Sequence, residues 1–155
     1  MTHLTRFSFG TTSAIVTSLA FIVGLSGGSK IAIVVSLMVF AVADNISDSL
    51  GLHIFQESDL KQPKVVSIST LSNFFTRLSL VLVFILLVVL LPIDYAVIAS
   101  LVYGVSLLSF LSYLIAKERK SNPYSSILAH IAIAVLVIGV SFLLRVWITN
   151  FFSNV

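Results

Sequence analysis

Residues 30–61 read KIAIVVSLMVFAVADNISDSLGLHIFQESDLK. A lysine closes each end, and the stretch between is long enough to cross a bilayer as one helix. Yet it holds Asp44, Asp48, Glu57 and Asp59, four of the six acidic residues in the chain. Read as part of a soluble core, the stretch would bury these carboxylates for no evident reason. Read as a membrane span, it places two of them at mid-depth.

Composition chooses between the two. The chain has 155 residues, 58% of them hydrophobic and 10% charged, with a mean hydropathy of +1.13. A soluble domain of this size carries about 25% charged residues. So little polar surface cannot coat a water-soluble globule, and the chain reads as an all-α integral membrane protein. The length suits one domain over residues 1–155, with no soluble domain. Without cysteine there are neither disulfides nor thiolate ligands. The net charge of +3 is small and forms no basic patch, so a nucleic-acid partner is not expected. The first apolar run follows Arg6 but lacks an Ala-x-Ala cleavage pattern before Lys30, and it reads as a retained helix rather than a signal peptide.

Five segments approach the ~20 apolar residues that a helix needs to cross ~30 Å of hydrocarbon. They are residues 8–27, 31–56, 66–91, 95–116 and 124–148. The backbone must satisfy its own hydrogen bonds in lipid, so each is expected to be a helix. Arg6, Lys61, Lys64, Lys117, Arg119 and Lys120 fall on one side and Lys30 on the other. Basic residues mark the cytoplasmic side, which predicts a cytoplasmic N-terminus and an outside C-terminus. Arg145, close to Trp147, is expected to snorkel to the outer interface.

A charge at the bilayer centre costs about 2.5–3.5 kcal/mol on insertion scales and requires a reason. Asp44 lies roughly midway between Lys30 and Lys61, near the middle of its span. Asp48 follows one turn later, about 40° round the helix, on the same face. Asn45, Ser49, Gln56 and His53 widen this into a polar stripe. In the third span, the uninterrupted apolar run Leu78 to Leu91 is too short to cross, so Asn73, Thr76 and Arg77 also enter the membrane. Asp48 precedes Lys61 by the same interval at which Arg77 follows Lys64. An antiparallel hairpin therefore puts them at one depth, and an Asp48–Arg77 ion pair is expected. It would leave Asp44 as the freer carboxylate. The pair alone could be purely structural, whereas an unpaired Asp44 points to function. His53 and Glu57 mark a cytoplasmic entrance, although His53 also suits a simple interfacial role, and His130 reads as a hydrogen-bonded packing residue. In the first span Gly10, Ala14 and Ser18 recur every four residues, a spacing that lets two helices approach closely, within the chain or as a homodimer seam. Thr11, Thr12, Ser13 and Thr17 either line a path or bond back to their own helix.

Several of these stretches resemble one family along the whole chain. FGTTSAIVTSLAFIVGL, residues 9–25, is similar to the first-helix pattern of the vacuolar iron transporter family, and ADNISDSLGLHIFQESD, residues 43–59, stands where its second-helix pattern stands. VVLLP before Asp94 resembles that family's third-helix ending, and AKERKSNPYSSILAHIAIAVLVIGVSFLL resembles its last loop and helix. The resemblance implies a homodimer that exports ferrous iron or manganese from the cytoplasm in exchange for protons. Two departures stand out. The family's first-helix Asp falls on Ser13, and its Glu-rich metal-binding insertion shrinks here to the turn around SDLKQPK. Placing the second-helix Glu on Asp48 puts the family's Met on Asp44, while aligning its Gln with Gln56 puts the Glu on Ser49. Under the first register Asp44, Asp48, Asn45, Ser49 and Ser13 are the expected metal ligands, and hard oxygens of this kind suit Mn²⁺, Mg²⁺ or protons.

The expected function is therefore proton-coupled transport of a divalent cation by a homodimer, with the metal as substrate and no cofactor, in a prokaryotic inner membrane. A non-transporting scaffold that keeps the fold is the alternative, favoured by Ser13 and the missing insertion. No catalytic spacing points to an enzyme.

Overall fold

The computed structural model describes residues 3–153, with side chains from Gly10 onward; the side chain of Arg6, counted in the charge asymmetry above, lies outside that description. Among the described residues there are five helices. They are α1 (His3–Leu25), α2 (Lys30–Ser58), α3 (Pro63–Leu90), α4 (Ile93–Glu118) and α5 (Pro123–Ser153). The last four are long and apolar enough to cross a membrane, which makes the chain an integral membrane protein by length and composition. The apolar part of α1, Gly10–Leu25, is shorter, roughly 24 Å. The helix α5 continues past the expected end at Ile148 to Ser153, because the intervening TNFFS carries no breaker even though the apolar run has ended.

Each helix end has a local cause. Ser29 caps α2 by accepting the Ala32 backbone N–H at 3.2 Å. Pro63 and Pro123 open α3 and α5, where the missing N–H costs nothing, and Pro92 stands just before α4. The C-termini of α2 and α4 both close with paired backbone bonds. Lys61 N–H donates to Gln56 O and Leu60 N–H to Glu57 O; Ser121 N–H donates to Ala116 O and Lys120 N–H to Lys117 O. This closure needs a left-handed residue, supplied here by Leu60 (φ 52°) and Lys120 (φ 53°) instead of glycine.

The helix α1 lies at the centre and packs against all four others. Its Ala14, Ile15, Ser18, Leu19 and Ile22 are fully buried. The helix α4 faces it with Ala96, Ser100, Gly104, Leu108, Ser112 and Ala116, one buried residue every four. Small residues at this spacing allow close approach. A Cβ on Gly104 would come within 2.8 Å of Leu19 Cδ1. The remaining core is aliphatic and aromatic, with Ile33, Leu37, Val81 and Val88 buried, Phe84 edge-on to Tyr103, and Phe21 against Phe40. His130 fills a packing role, its Nδ1 bonded to Ser112 Oγ at 2.8 Å across α4 and α5.

The helix α2 is not uniform. Lys30–Val39 is α-helical, Phe40–Asp44 forms a π-helical turn, and Asn45–Ser58 is α-helical again. Its first half packs on α1 and α3, and its second half runs chiefly along α3. A π turn widens the helix by one residue and marks functional sites more often than chance. This one ends on Asp44.

Candidate functional site: an aspartate–arginine–aspartate cluster

Arg77 stands at the middle of α3. Its side chain is only 1% exposed. A buried guanidinium must be compensated, and its planar fork of donors is suited to reach several acceptors at once. Nη2 donates to Asp44 Oδ2 at 2.5 Å. Nη1 lies 3.0 Å from Asp48 Oδ2 and donates to Gly10 O at 3.1 Å. Among the described residues Nε has no partner. One cation thus joins three helices at the mid-length of α2 and α3.

Sequence spacing explains why both carboxylates reach it. Asp44 and Asp48 sit one turn apart on α2, and Asp44 is at the midpoint of that helix, roughly 21 Å from either end. Gly10 provides the space on α1. A Cβ there would fall 2.8 Å from Arg77 Cδ and closer still to Asn73 Oδ1. Asn73, one turn before Arg77, donates Nδ2 to Asp48 Oδ2 at 3.1 Å and to Ser49 Oγ at 3.3 Å. Asp48 therefore has two neighbours on α3, whereas Asp44 has Arg77. The Asp44 side chain is 49% exposed and that of Asp48 22%.

A polar seam continues from here along α2 and α3 toward their loop. Asn45 Nδ2 donates to Phe74 O at 2.9 Å, leaving its Oδ1 buried without a partner among the described residues. Ser69 Oγ donates to Gln56 Oε1. His53 Nδ1 meets Thr70 Oγ1 at 3.2 Å, and its Nε2 lies 3.3 Å from Glu57 Oε1. A side crevice lined by Ser49, His53, Thr70 and Phe74 opens beside this seam.

Several expectations require correction. Asp44 is the more exposed of the two acids but is not unpaired; it shares Arg77 with Asp48, because α2 brings both acids within reach of one fork. Asn45 and Ser49 do not turn toward the carboxylates' open side. They face α3, where buried amide and hydroxyl groups find partners. Ser13 is exposed, about 60° round α1 from Gly10, and it is the Gly10 carbonyl that reaches the cluster. Of the five residues expected as metal ligands, Asp44 and Asp48 alone converge on one cation, and that cation is Arg77. Among the described residues no three His, Cys, Asp or Glu side chains are grouped to hold a metal. Gly10, Ala14 and Ser18 are buried within the chain, so the stripe serves helix packing and is closed to a second copy. Arg145 reaches along α5 to Ser26 Oγ on the α1–α2 loop, at the end of the helices where it is expected to seek an interface.

The role of Asn73 is readable in the sequence only as an unexplained polar residue in the third span. Its i,i+4 spacing to Arg77 is the available signal, since it puts both on the face that meets α2. The Gly10 carbonyl leaves no signal, because any residue has one. Comparison with family models, curated proteins and solved structures gives no match for this chain.

Proposed function

We propose that the chain is a small secondary transporter of a divalent cation of the Fe²⁺ or Mn²⁺ kind, exporting it from the cytoplasm in exchange for protons. The observation that carries the reading is the half-exposed Asp44, at the middle of a membrane-length helix, sharing Arg77 with Asp48. Two carboxylates against one guanidinium leave the cluster one negative charge in excess. A cation arriving at the open side of Asp44 competes with Arg77 for it, while Arg77 keeps its bonds to Asp48 and Gly10. Protonation of Asp44 weakens its hold on either cation. His53 and Glu57 line the cytoplasmic approach. On this reading α1 crosses the membrane as a fifth span, the N-terminus is cytoplasmic, and two copies assemble in a prokaryotic inner membrane. Likeness to the vacuolar iron transporter family is part of the proposal.

A second reading is favoured by one observation: Arg77 already occupies the place between the two acids where a metal would sit. On that reading the cluster only fastens α1, α2 and α3 together in a non-transporting scaffold.

Uptake of Fe²⁺, Mn²⁺, Co²⁺ and protons into proteoliposomes separates the two. Transport by the wild type, reduced about tenfold or more in Asp44→Asn by the loss of at least ~1.4 kcal/mol of ion binding, supports the transporter. If neither wild type nor Asp44→Asn nor Asp48→Asn moves any of these ions, the scaffold reading stands.

A further inference from the structure

A second feature lies at the other end of α1, away from the acid cluster. Between α1 and α5 runs a crevice of 250 Å³ lined by Thr17, Ala20, Gly24, Ser141, Leu144 and Arg145, among others. Small residues create it. Gly24 and Ser141 bring the two helices together at one point, where a Cβ on Gly24 would meet Ser141 Cβ at 3.6 Å. Ala20 is too short to fill the space beside that contact. The lining spans about two turns of each helix, roughly 10 Å. Its polar content is slight, since Ser141 Oγ spends its proton on Val137 O in its own helix.

Arg145 stands at the end of this apolar slot nearest the α1–α2 loop. It donates Nη1 to Ser26 Oγ, runs past Gly27, and lies 4.8 Å from the centroid of the Phe142 ring. Among the described residues no carboxylate lies within ion-pair distance of it. Its other donors find no acceptor among those residues, and they are not buried unsatisfied atoms either. A guanidinium with no carboxylate beside it among the described residues, at the head of an oily slot, has the shape and charge of an amphiphile's counterpart. The slot opens sideways beside α5, of which only Ala134 is buried, so hydrocarbon is what lies at its mouth.

We infer that this crevice seats one acyl chain of an anionic phospholipid, with the headgroup phosphate on Arg145. The apolar walls hold the chain by excluding other contacts, and the guanidinium selects charge. A basic residue near a lipid headgroup contributes about 1 kcal/mol of attraction. This inference is independent of the transport reading.

Native mass spectrometry tests it on the full chain released from micelles holding equal amounts of phosphatidylglycerol and phosphatidylcholine with the same acyl chains. Wild type is expected to retain phosphatidylglycerol over phosphatidylcholine by about fivefold. Arg145→Gln brings the ratio to about one, and Arg145→Lys keeps most of it. Ala20→Leu fills the slot without touching the arginine, and phosphatidylglycerol retention falls to the phosphatidylcholine level. Equal retention of both lipids by the wild type overturns the inference, and so does an undiminished preference in Arg145→Gln. Should Arg145→Gln fail to fold, an undiminished preference in Ala20→Leu overturns it equally.

Discussion

Arg77 is the residue on which the inner half of the molecule turns. It is charged, almost fully buried, and bonded to α1 and α2 from α3. Removing it strands two carboxylates side by side, and losing one partner of a buried pair costs about 3–5 kcal/mol. Arg77→Met is therefore expected to lower the thermal unfolding temperature in detergent far more than Asp44→Asn does. Asp44 is half exposed, and its loss leaves Arg77 still paired with Asp48. Combining Arg77→Met with Asp44→Asn and Asp48→Asn removes every charge together and should recover most of the stability. A triple variant no more stable than Arg77→Met alone would show that the charges are not what holds these helices.

At the scale of elements, the close approach of α1 to α3 depends on Gly10. The small-residue spacing is legible in the first span, but its partner is not, because spacing says that a helix will be approached and not by which one. The α4 stripe from Ala96 to Ala116 has the same period and is harder to see, since Leu108 interrupts its run of small residues. Gly10→Ala is expected to destabilise by about 1–3 kcal/mol, as overpacking of a tight contact does. Gly51→Ala, where an added Cβ meets nothing within 4 Å, should instead stabilise by roughly 0.5–1 kcal/mol through helix propensity. The two substitutions are chemically identical, so opposite shifts in unfolding temperature would isolate the packing term. Equal shifts would refute the tight contact. The π turn at Phe40–Asp44 is invisible to a helical wheel, which assumes one uniform rotation per residue along all of α2.

At the scale of the whole molecule, the loops at the two ends of α2 carry opposite expectations. The sequence has no cysteine, so single cysteines report without background. Gly28→Cys and Gln62→Cys both lie at exposed loop positions. With a cytoplasmic N-terminus and α1 crossing the membrane, an impermeant maleimide should label Gly28→Cys in intact cells and Gln62→Cys only after permeabilisation. The reverse pattern would invert the topology. Labelling of both from one side would mean that α2 does not cross.

The sequence by itself determined the helical, membrane-embedded class, most of the helix boundaries to within a few residues, and the shared depth of Asp48 and Arg77. These follow from hydrophobic run length and from the fixed rise per residue of a helix, which are local properties. The tertiary structure decided that Asp44 shares Arg77, that Asn45 and Ser49 face α3, that Ser13 stays outside the cluster, and that Ser26 is the partner of Arg145. Each of these depends on which faces of separate helices meet. That is set by the summed packing of side chains far apart in the chain, and no single stretch carries it.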